Sequence, residues 1–276
     1  MCGMSPDIGL CDLPMKISVV TVCYNSVNVI EETINSVLEQ TYGNVEYIII
    51  DGGSTDGTVD IIKKYADRLA YWISERDKGI YDAMNKGIAV ATGDYINFMN
   101  AGDFFAHYSI ISDICSNING DTDIAFGDTF FKFKTRCLLR KPLSLSAMST
   151  KSPFCHQSTF IKSTFHKAHL FDISYRIVAD YDFFYNSYFN WNAKFQYIST
   201  GVAVYDCAEG VSTDNLRSSL LEKFRVWGID RNWIKQLPWR ISLLRSVVSH
   251  KLKKHLSAEI VISIKKFIDS TRSHVK

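Results

Sequence analysis

Apolar stretches alternate with amphipathic stretches along the first hundred residues. Four stretches have the length and composition of buried strands: residues 16–22, 45–50, 70–74 and 94–99. Three stretches between them repeat apolar residues at helical spacing: residues 28–40, 58–67 and 80–91. Helices that alternate with short strands are typical of βαβ units, in which the strands are parallel. The pattern therefore predicts an α/β protein with a mostly parallel central sheet flanked by helices.

The pattern changes in the second part of the chain. Residues 123–162 contain closely spaced aromatic and apolar positions without a long helical period, which predicts antiparallel strands. A helix is predicted over 180–190 and a further strand over 195–205. The predicted organisation has three parts: a flexible leader at 1–15, a main domain at 16–214 and a basic helical extension at 215–276.

The composition is that of a globular protein. The chain has 276 residues, of which 46% are hydrophobic and 22% are charged. No apolar run approaches the roughly 20 residues of a membrane-spanning helix, and we expect no secretory signal. The seven cysteines are odd in number and form no C-x-x-C pair. This argues against a disulfide framework or a thiolate zinc site, and it predicts a reducing, cytoplasmic location.

Positive charge is concentrated at the end of the chain. The net charge is only +2, but residues 217–276 contain fourteen Lys and Arg against four Asp and Glu. Trp227, Trp233 and Trp239 are interleaved with these cations. Basic amphipathic helices that carry Trp bind anionic membrane surfaces, so one hypothesis is a peripheral membrane contact. The alternative is a helical cap on the main domain. Nucleic acid is not an expected partner, because residues 1–216 are acidic overall and contain no recognised module.

Polar residues follow each of the four predicted parallel strands. They are, in chain order, Tyr24 and Asn25, then Asp51, then Asp77, then Asn100 and Asp103. Ligands of an open parallel sheet bind at the carboxyl ends of its strands, so we expect these side chains to share one site. The chain contains no G-x-G-x-x-G after the first strand, no P-loop, no H-E-x-x-H and no G-x-S-x-G. These absences argue against a dinucleotide dehydrogenase, a P-loop kinase, a zincin and an α/β-hydrolase.

Four segments together resemble the family-2 glycosyltransferases: ISVVTVCYN (17–25), SVLEQ (36–40), IDGGSTDGT (50–58) and DKGIYDAMNKG (77–87). These enzymes are inverting and have the GT-A fold, and the similarity is greatest to the branch that builds bacterial surface polysaccharides such as colanic acid and O-antigen. The resemblance implies that residues 16–105 bind a nucleotide-sugar, most simply a UDP-sugar, and that residues 106–214 bind the acceptor. The implied acceptor is a growing glycan or a polyprenyl-diphosphate-linked oligosaccharide, at the cytoplasmic face of the inner membrane.

The resemblance also implies roles for single residues on the donor side. Asp51 corresponds to the acid that hydrogen-bonds the nucleobase, and Tyr24 and Asn25 correspond to the loop that packs on the nucleoside. Asp77 lies in the segment that borders the donor.

The metal motif of the family is altered in this chain. Asn100, Ala101 and Gly102 occupy the D-x-D positions, so neither acid is present in strict register. Asp103 is the next carboxylate, and we expect it to hold Mn²⁺ or Mg²⁺ with support from Asn100. A catalytically inactive nucleotide-sugar or glycan-binding module is the alternative that this departure favours. A nucleotidyltransferase is a third reading, but its phosphate loop is missing after the first strand.

The resemblance places the catalytic base at Asp180. Direct displacement with inversion needs one carboxylate that takes the proton of the acceptor hydroxyl. Asp182 is two residues further on and faces away by about 200° on a helix, so we interpret it as structural. His156 and Gln157 are expected on the acceptor or diphosphate side, and a hydrogen-bonded structural histidine is the alternative for His156.

Overall fold

The computed structural model describes residues 14–133, 136–206 and 216–241. The chain divides into two units, Met1–Thr213 and Asp214–Lys276. The first unit is built on one nine-stranded sheet with helices on its faces. Among the described residues, no helix is both long and apolar enough to cross a membrane.

The strands of the sheet are β1 (Ile17–Cys23), β2 (Val45–Asp51), β3 (Tyr71–Ser74), β4 (Tyr95–Phe98), β5 (Phe104–Phe105), β6 (Ile124–Phe133), β7 (Arg136–Arg140), β8 (Thr159–Lys162) and β9 (Phe195–Asp206). Their order is β3-β2-β1-β4-β8-β6-β9-β5, and β7 pairs with β6. The four strands from β3 to β4 are parallel, whereas β8 is antiparallel to both of its neighbours. The α/β class is therefore confirmed, with a parallel half that β8 joins to a mixed half.

The helices of the first unit are α1 (Ile30–Leu38), α2 (Thr58–Lys64), α3 (Ile80–Val90), α4 (Ile110–Cys115), α5 (Ser163–Ala168) and α6 (Ala179–Phe189). The helix predicted over 58–67 ends earlier, and residues 66–68 form a 3-10 turn. The sequence pattern missed the short helices α4 and α5, whose six residues are less than two helical turns.

The core lies between the sheet and its helices. All of β1 and most of β2 are buried, because parallel strands covered on both faces have no solvent side. Ile30, Ile34 and Val37 form the buried stripe of α1, as their spacing predicts.

The end of the predicted leader is attached to this unit. The Tyr42 hydroxyl donates to the carbonyl oxygen of Met15 over 2.6 Å, and Met15 packs on the core. Met15, at the end of the predicted leader, is thus in contact with the first unit. Residues 1–13 lie outside the described part, and the flexible leader stays a prediction.

The second unit contains α7 (Leu216–Val226) and a helix over residues 233–241. The rings of Trp227 and Trp239 lie 4.8 Å apart, whereas 69% of Trp233 is exposed. Ile234, Leu237 and Ile241 are exposed as well. The second helix therefore presents an apolar face to solvent, and residues 242–276, with much of the predicted basic charge, lie outside the described part.

We expect the stability of the first unit to be sensitive to acid because it contains a buried histidine. His166 is enclosed by aromatic rings, and its Nδ1 lies 3.1 Å from the carbonyl oxygen of His169. Burial lowers its pKa to about 4. The unfolded chain binds this proton near pH 6.5 and the folded chain only near pH 4. The contribution of neutral His166 to the free energy of unfolding is therefore complete above pH 6.5 and is lost as the pH falls toward 4. We expect a loss of roughly 3 kcal/mol in unfolding free energy over that window.

Urea unfolding at a series of pH values measures this loss. The free energy of unfolding of the wild type should fall by this amount between pH 6.5 and pH 4, whereas that of His166→Phe should not show this fall. His107→Phe, at an exposed histidine, should follow the wild type. Parallel curves for wild type and His166→Phe would contradict the prediction.

Candidate active site

The loops after β1 and β2 are tied to each other. The backbone N–H of Asn25 donates to Oγ of Ser54 over 2.8 Å, and Oδ1 of Asn25 accepts from the N–H of Thr55 over 3.0 Å. Asn25 has a positive φ of 48°, a conformation that Asn tolerates better than most residues. Asn25 therefore organises the loop on which the exposed Tyr24 stands.

Asp51 stabilises the loop after β2 through buried hydrogen bonds. Its carboxylate is fully buried and accepts hydrogen bonds from the N–H groups of Gly53 and Ser54 and from the hydroxyls of Ser54 and Ser74. Burial opposes the charged form, but the hydrogen bonds from Ser54 and Ser74 outweigh it and lower the pKa of Asp51. The structure places Asp51 beneath the loop surface, so the nucleobase contact implied by the resemblance stays a prediction.

Asp77 and Tyr24 meet over the backbone of Gly52. A Cβ at Gly52 would overlap the Asp77 carboxylate and would lie 3.4 Å from the Tyr24 ring. Only glycine permits this approach. Asp77 is partly exposed, and its Oδ1 accepts from the N–H of Gly79 over 2.8 Å. The structure therefore brings Tyr24, Gly52 and Asp77 to one edge, next to the buried Asp51.

Asp103 is buried at the turn after β4. Its Oδ2 accepts from Nε2 of Gln157 over 2.8 Å, and its Oδ1 accepts from the N–H of Asp206 over 3.3 Å. Burial raises the pKa of Asp103 to about 6. Asp103, predicted as a metal ligand, and Gln157, predicted on the acceptor or diphosphate side, are thus in direct contact, and Asp103 links the turn to the end of β9.

Asn100, His156 and Asp180 form a hydrogen-bonded row. Nδ2 of Asn100 lies 3.0 Å from Nε2 of His156, and Nδ1 of His156 lies 3.3 Å from Oδ2 of Asp180. The Tyr81 hydroxyl lies 2.9 Å from Oδ1 of Asp180. With the amide nitrogen of Asn100 donating, Nε2 accepts and the proton of His156 stands on Nδ1, directed at Asp180.

The environment of Asp180 keeps its carboxylate ionised. Burial opposes the charge, but the hydrogen bonds with His156 and with the Tyr81 hydroxyl outweigh it and lower the pKa of Asp180. Asp180 stands in the first turn of α6, where the helix dipole also favours a negative charge. About a quarter of its side chain, 26%, is exposed. An ionised, accessible carboxylate with a fixed orientation is suited to accept a proton.

The turn after β4 also offers oxygen ligands for a hard cation. Oδ1 of Asn100 is buried and has no hydrogen-bond partner within the described residues. It belongs to the same turn as the Asp103 carboxylate, where the Asp103 N–H bonds the Asn100 carbonyl oxygen. Amide and carboxylate oxygens suit Mg²⁺ and Mn²⁺. The described residues contain no group of three or more His, Cys, Asp or Glu placed around a metal, so a cation would rely on phosphate oxygens as well.

Two contacts of the site were missed by sequence reasoning. Tyr81 lies inside the DKGIYDAMNKG segment, but no role was predicted for it. Asp206 follows from no local motif, since 103 residues separate it from Asp103. For Tyr81 the available signal was its place in that segment, on a helix that follows a strand end. For Asp206 only the pairing of strands supplies the information.

A separate cavity lies in the second half of the unit. It has a volume of about 520 Å³ and is lined by residues of β6, β9 and the segment after β7: Phe126, Lys141, Pro142, Leu143, Ser144, Leu145, Phe195, Tyr197 and Ser199. Phe126 stacks on Phe154 at 4.3 Å, and Phe154 precedes His156 by two residues. None of the residues predicted for the site lines this cavity.

Comparison with known proteins decides the family. The model of glycosyl transferase family 2 matches residues 18–176, more than half of the chain. The chain belongs to this family. The match spans both the loops at Tyr24 and Asp51 and the His156 segment, and it confirms the family resemblance.

Relatives and solved structures agree with this assignment. A PGL/p-HBAD biosynthesis glycosyltransferase of Mycobacterium bovis is 27% identical over 252 residues, which cover 86% of this chain and 98% of that protein. An uncharacterized glycosyltransferase of Mycobacterium tuberculosis is 32% identical over 174 residues, which cover 60% of this chain and 66% of that protein. The protein is a glycosyltransferase.

Solved glycosyltransferases share the fold. S. aureus TarS 1-349, crystallised in complex with UDP-GlcNAc, superposes with a TM-score of 0.63 at 21% identity, over 77% of this chain and 64% of that one. The mannosyltransferase PcManGT from Pyrobaculum calidifontis, in complex with GDP-Man and Mn²⁺, gives a TM-score of 0.60 at 16% identity, over 78% and 64%. The chain thus spans just under two thirds of either structure, and the GT-A fold is confirmed.

Proposed function

We propose that this glycosyltransferase moves a sugar from a UDP-sugar to a lipid-linked or growing polysaccharide acceptor, with inversion at the anomeric carbon. The observation that carries the proposal is the ionised Asp180, held by His156 and Tyr81 and open to solvent on one side. The UDP-GlcNAc in TarS supports the choice of donor. The biosynthetic role in the name of the mycobacterial relative supports a bacterial glycoconjugate as the acceptor.

The proposed reaction is a single displacement. Asp180 takes the proton of the acceptor hydroxyl as its oxygen forms a bond to the anomeric carbon. The bond from that carbon to the diphosphate breaks, and its electron pair leaves with the diphosphate. His156 and Tyr81 hold the carboxylate in place, while Tyr24, Asn25 and Asp77 border the nucleoside. Attack from the face opposite to the leaving group inverts the configuration.

A divalent cation, Mn²⁺ or Mg²⁺, is part of the proposal. Bound at this site it would neutralise the charge that develops on the leaving diphosphate. Asn100 and Asp103 are the residues that would hold it, because they supply the oxygen ligands of the turn after β4. The Mn²⁺ in the PcManGT structure supports a cation in this fold.

A donor screen tests both parts of the proposal. Thermal shift and hydrolysis are measured with UDP-, GDP- and dTDP-sugars, in Mn²⁺ and in EDTA. We expect UDP-sugars to give the largest shift and Mn²⁺ to enlarge it for wild type but not for Asp103→Ala. Equal enlargement in Asp103→Ala would remove Asp103 from the cation site. Binding without any hydrolysis or transfer, for every donor and several acceptors, would favour the inactive binding module.

We propose further that the extension 217–276 contacts an anionic membrane at the cytoplasmic face. The exposed face of Trp233, Ile234, Leu237 and Ile241 supplies apolar side chains, and the segment carries a ten-charge excess of cations. Deletion of 217–276 should reduce sedimentation with anionic vesicles much more than hydrolysis of a soluble donor. Trp233→Ser combined with Ile234→Ser should show the same pattern in the full chain. Unchanged sedimentation of both variants would favour the helical cap.

A further inference from the structure

The edge strand β7 is exposed along its whole length. Its five residues, Arg136–Arg140, are all exposed, although they pair with the core strand β6. Strand β9 occupies one side of β6, and β8 and β7 share the other side. Within the described residues no further strand pairs with β7. Leu138 is 38% exposed and Leu139 is 49% exposed, so the strand presents apolar side chains to solvent.

The stretch of sequence around these leucines carries charge of one sign. Residues 129–171 contain eight Lys and Arg and no Asp or Glu. The guanidinium of Arg140 lies 4.5 Å from the ring centroid of Phe131, and that of Arg136 lies 5.6 Å from the ring of Phe133. Among the described residues neither arginine makes an ion pair. Because side chains alternate along a strand, Arg136, Leu138 and Arg140 share one face and Leu139 lies on the other. We call these four exposed residues, Arg136, Leu138, Leu139 and Arg140, the β7 edge.

The turn end of the same hairpin reaches the candidate site. Nζ of Lys132 on β6 lies 3.5 Å from Oδ2 of Asp206, and the backbone N–H of Asp206 bonds Asp103. Strand β6 is antiparallel to β8, which in turn is antiparallel to β4, so β6 ends on the side of the sheet where the turn at Asn100 lies. The β7 edge and the proposed cation site are consequently at the same end of the sheet.

We propose that the β7 edge docks on the anionic phospholipid surface of a membrane. Leucines that enter the headgroup region and arginines that keep their charge at phosphate level form the arrangement of an interfacial segment. Each cation also gains from the negative surface potential. This role deepens the proposed function, because it would hold the catalytic end of the sheet at the bilayer from which a lipid-linked acceptor extends.

The same features argue against other occupants of the β7 edge. A second copy pairing edge to edge would bring arginine against arginine without a neutralising acid, a known device against strand pairing. Single-stranded nucleic acid needs aromatic platforms for its bases, but the rings of Phe131 and Phe133 already lie against Arg140 and Arg136.

Hydrogen exchange of the intact protein tests the docking locally. Amide exchange is followed over residues 136–143 with vesicles of phosphatidylcholine alone and of phosphatidylcholine mixed with phosphatidylglycerol. We expect slower exchange in this segment only with the anionic vesicles, and its loss at high salt. Because the readout is local, binding through residues 217–276 does not imitate it. Protection confined to the extension would overturn the proposal.

A charge-reversal pair supplies the second measurement. Arg136→Glu with Arg140→Glu should lower partitioning onto anionic vesicles about tenfold or more at low salt. Lys63→Glu with Lys64→Glu on α2 makes the same charge change at exposed positions and should have a much smaller effect. Both variants should hydrolyse soluble donor at the wild-type rate, since none of these residues lies in the site.

The possible outcomes distinguish the docking site from the proposed function. If both variants lose partitioning equally, vesicle binding depends only on the net charge of the protein, and the proposed docking site is wrong. A shift of an RNA or DNA oligonucleotide that the arginine variant abolishes, without vesicle binding, would assign the β7 edge to nucleic acid instead. If the wild type hydrolyses no donor, the proposed function is contradicted, whether or not the protein binds vesicles.

Discussion

Asp180→Asn is expected to lower turnover by at least about 100-fold while donor affinity stays close to that of the wild type. Loss of a general base typically costs this factor, because the amide takes no proton from the acceptor hydroxyl. The substitution keeps the shape of the side chain, so its contacts with His156 and Tyr81 change little in size. The measurement is kcat with a soluble acceptor, together with the Kd of the donor from calorimetry.

Asp182→Asn is the matched control for this prediction. Asp182 lies two residues further along α6, and its side chain faces about 200° away from that of Asp180. Asp182→Asn is the same chemical change at this second position. It should keep turnover within a few-fold of the wild type. If Asp180→Asn stays within that range too, the base lies elsewhere, and His156→Gln becomes the next variant to measure.

Asp51→Ala is expected to destabilise the first unit by about 3 kcal/mol or more. The buried carboxylate accepts hydrogen bonds from Gly53, Ser54 and Ser74, and its removal leaves these donors without an acceptor inside the protein. Donor affinity should fall as well, since Tyr24 and Asp77 pack on the loop that Asp51 holds. Urea unfolding and calorimetry of donor binding measure the two effects.

Asp56→Ala is the control in the same loop. Asp56 also accepts hydrogen bonds, from the N–H groups of Val27 and Thr58, but it is exposed, so water replaces it at lower cost. Its unfolding midpoint should lie close to that of the wild type. A midpoint for Asp51→Ala as high as that of Asp56→Ala would show that the loop does not depend on Asp51.

The elements of the parallel half are predictable from local patterns of apolar and polar residues. Strands β1, β2 and β4 and helices α1 and α3 lie within one or two residues of their predicted bounds. Their burial and their period are local properties, so a window of ten residues contains the information. The same holds for the four loops at the strand ends, because a parallel sheet brings those ends to one side without further information. The family motifs added Asp180, which no local pattern distinguishes from Asp182.

The assembly of the second half and of the site depends on long-range packing, which local patterns do not contain. The pairing of β4 with β8 and of β6 with β9 joins residues that are about 65 to 75 positions apart in the chain, and the order of these strands depends on packing rather than on period. The contacts of Asp180 with Tyr81 and of Asp103 with Asp206 arise across 99 and 103 residues. The burial of Asp51 is likewise not predictable from the sequence around it, because the fold determines which residues cover its carboxylate. Burial raises the pKa of Asp103, and hydrogen bonds from distant residues lower the pKa of Asp180, so the fold decides which of the two carboxylates is ready to accept a proton.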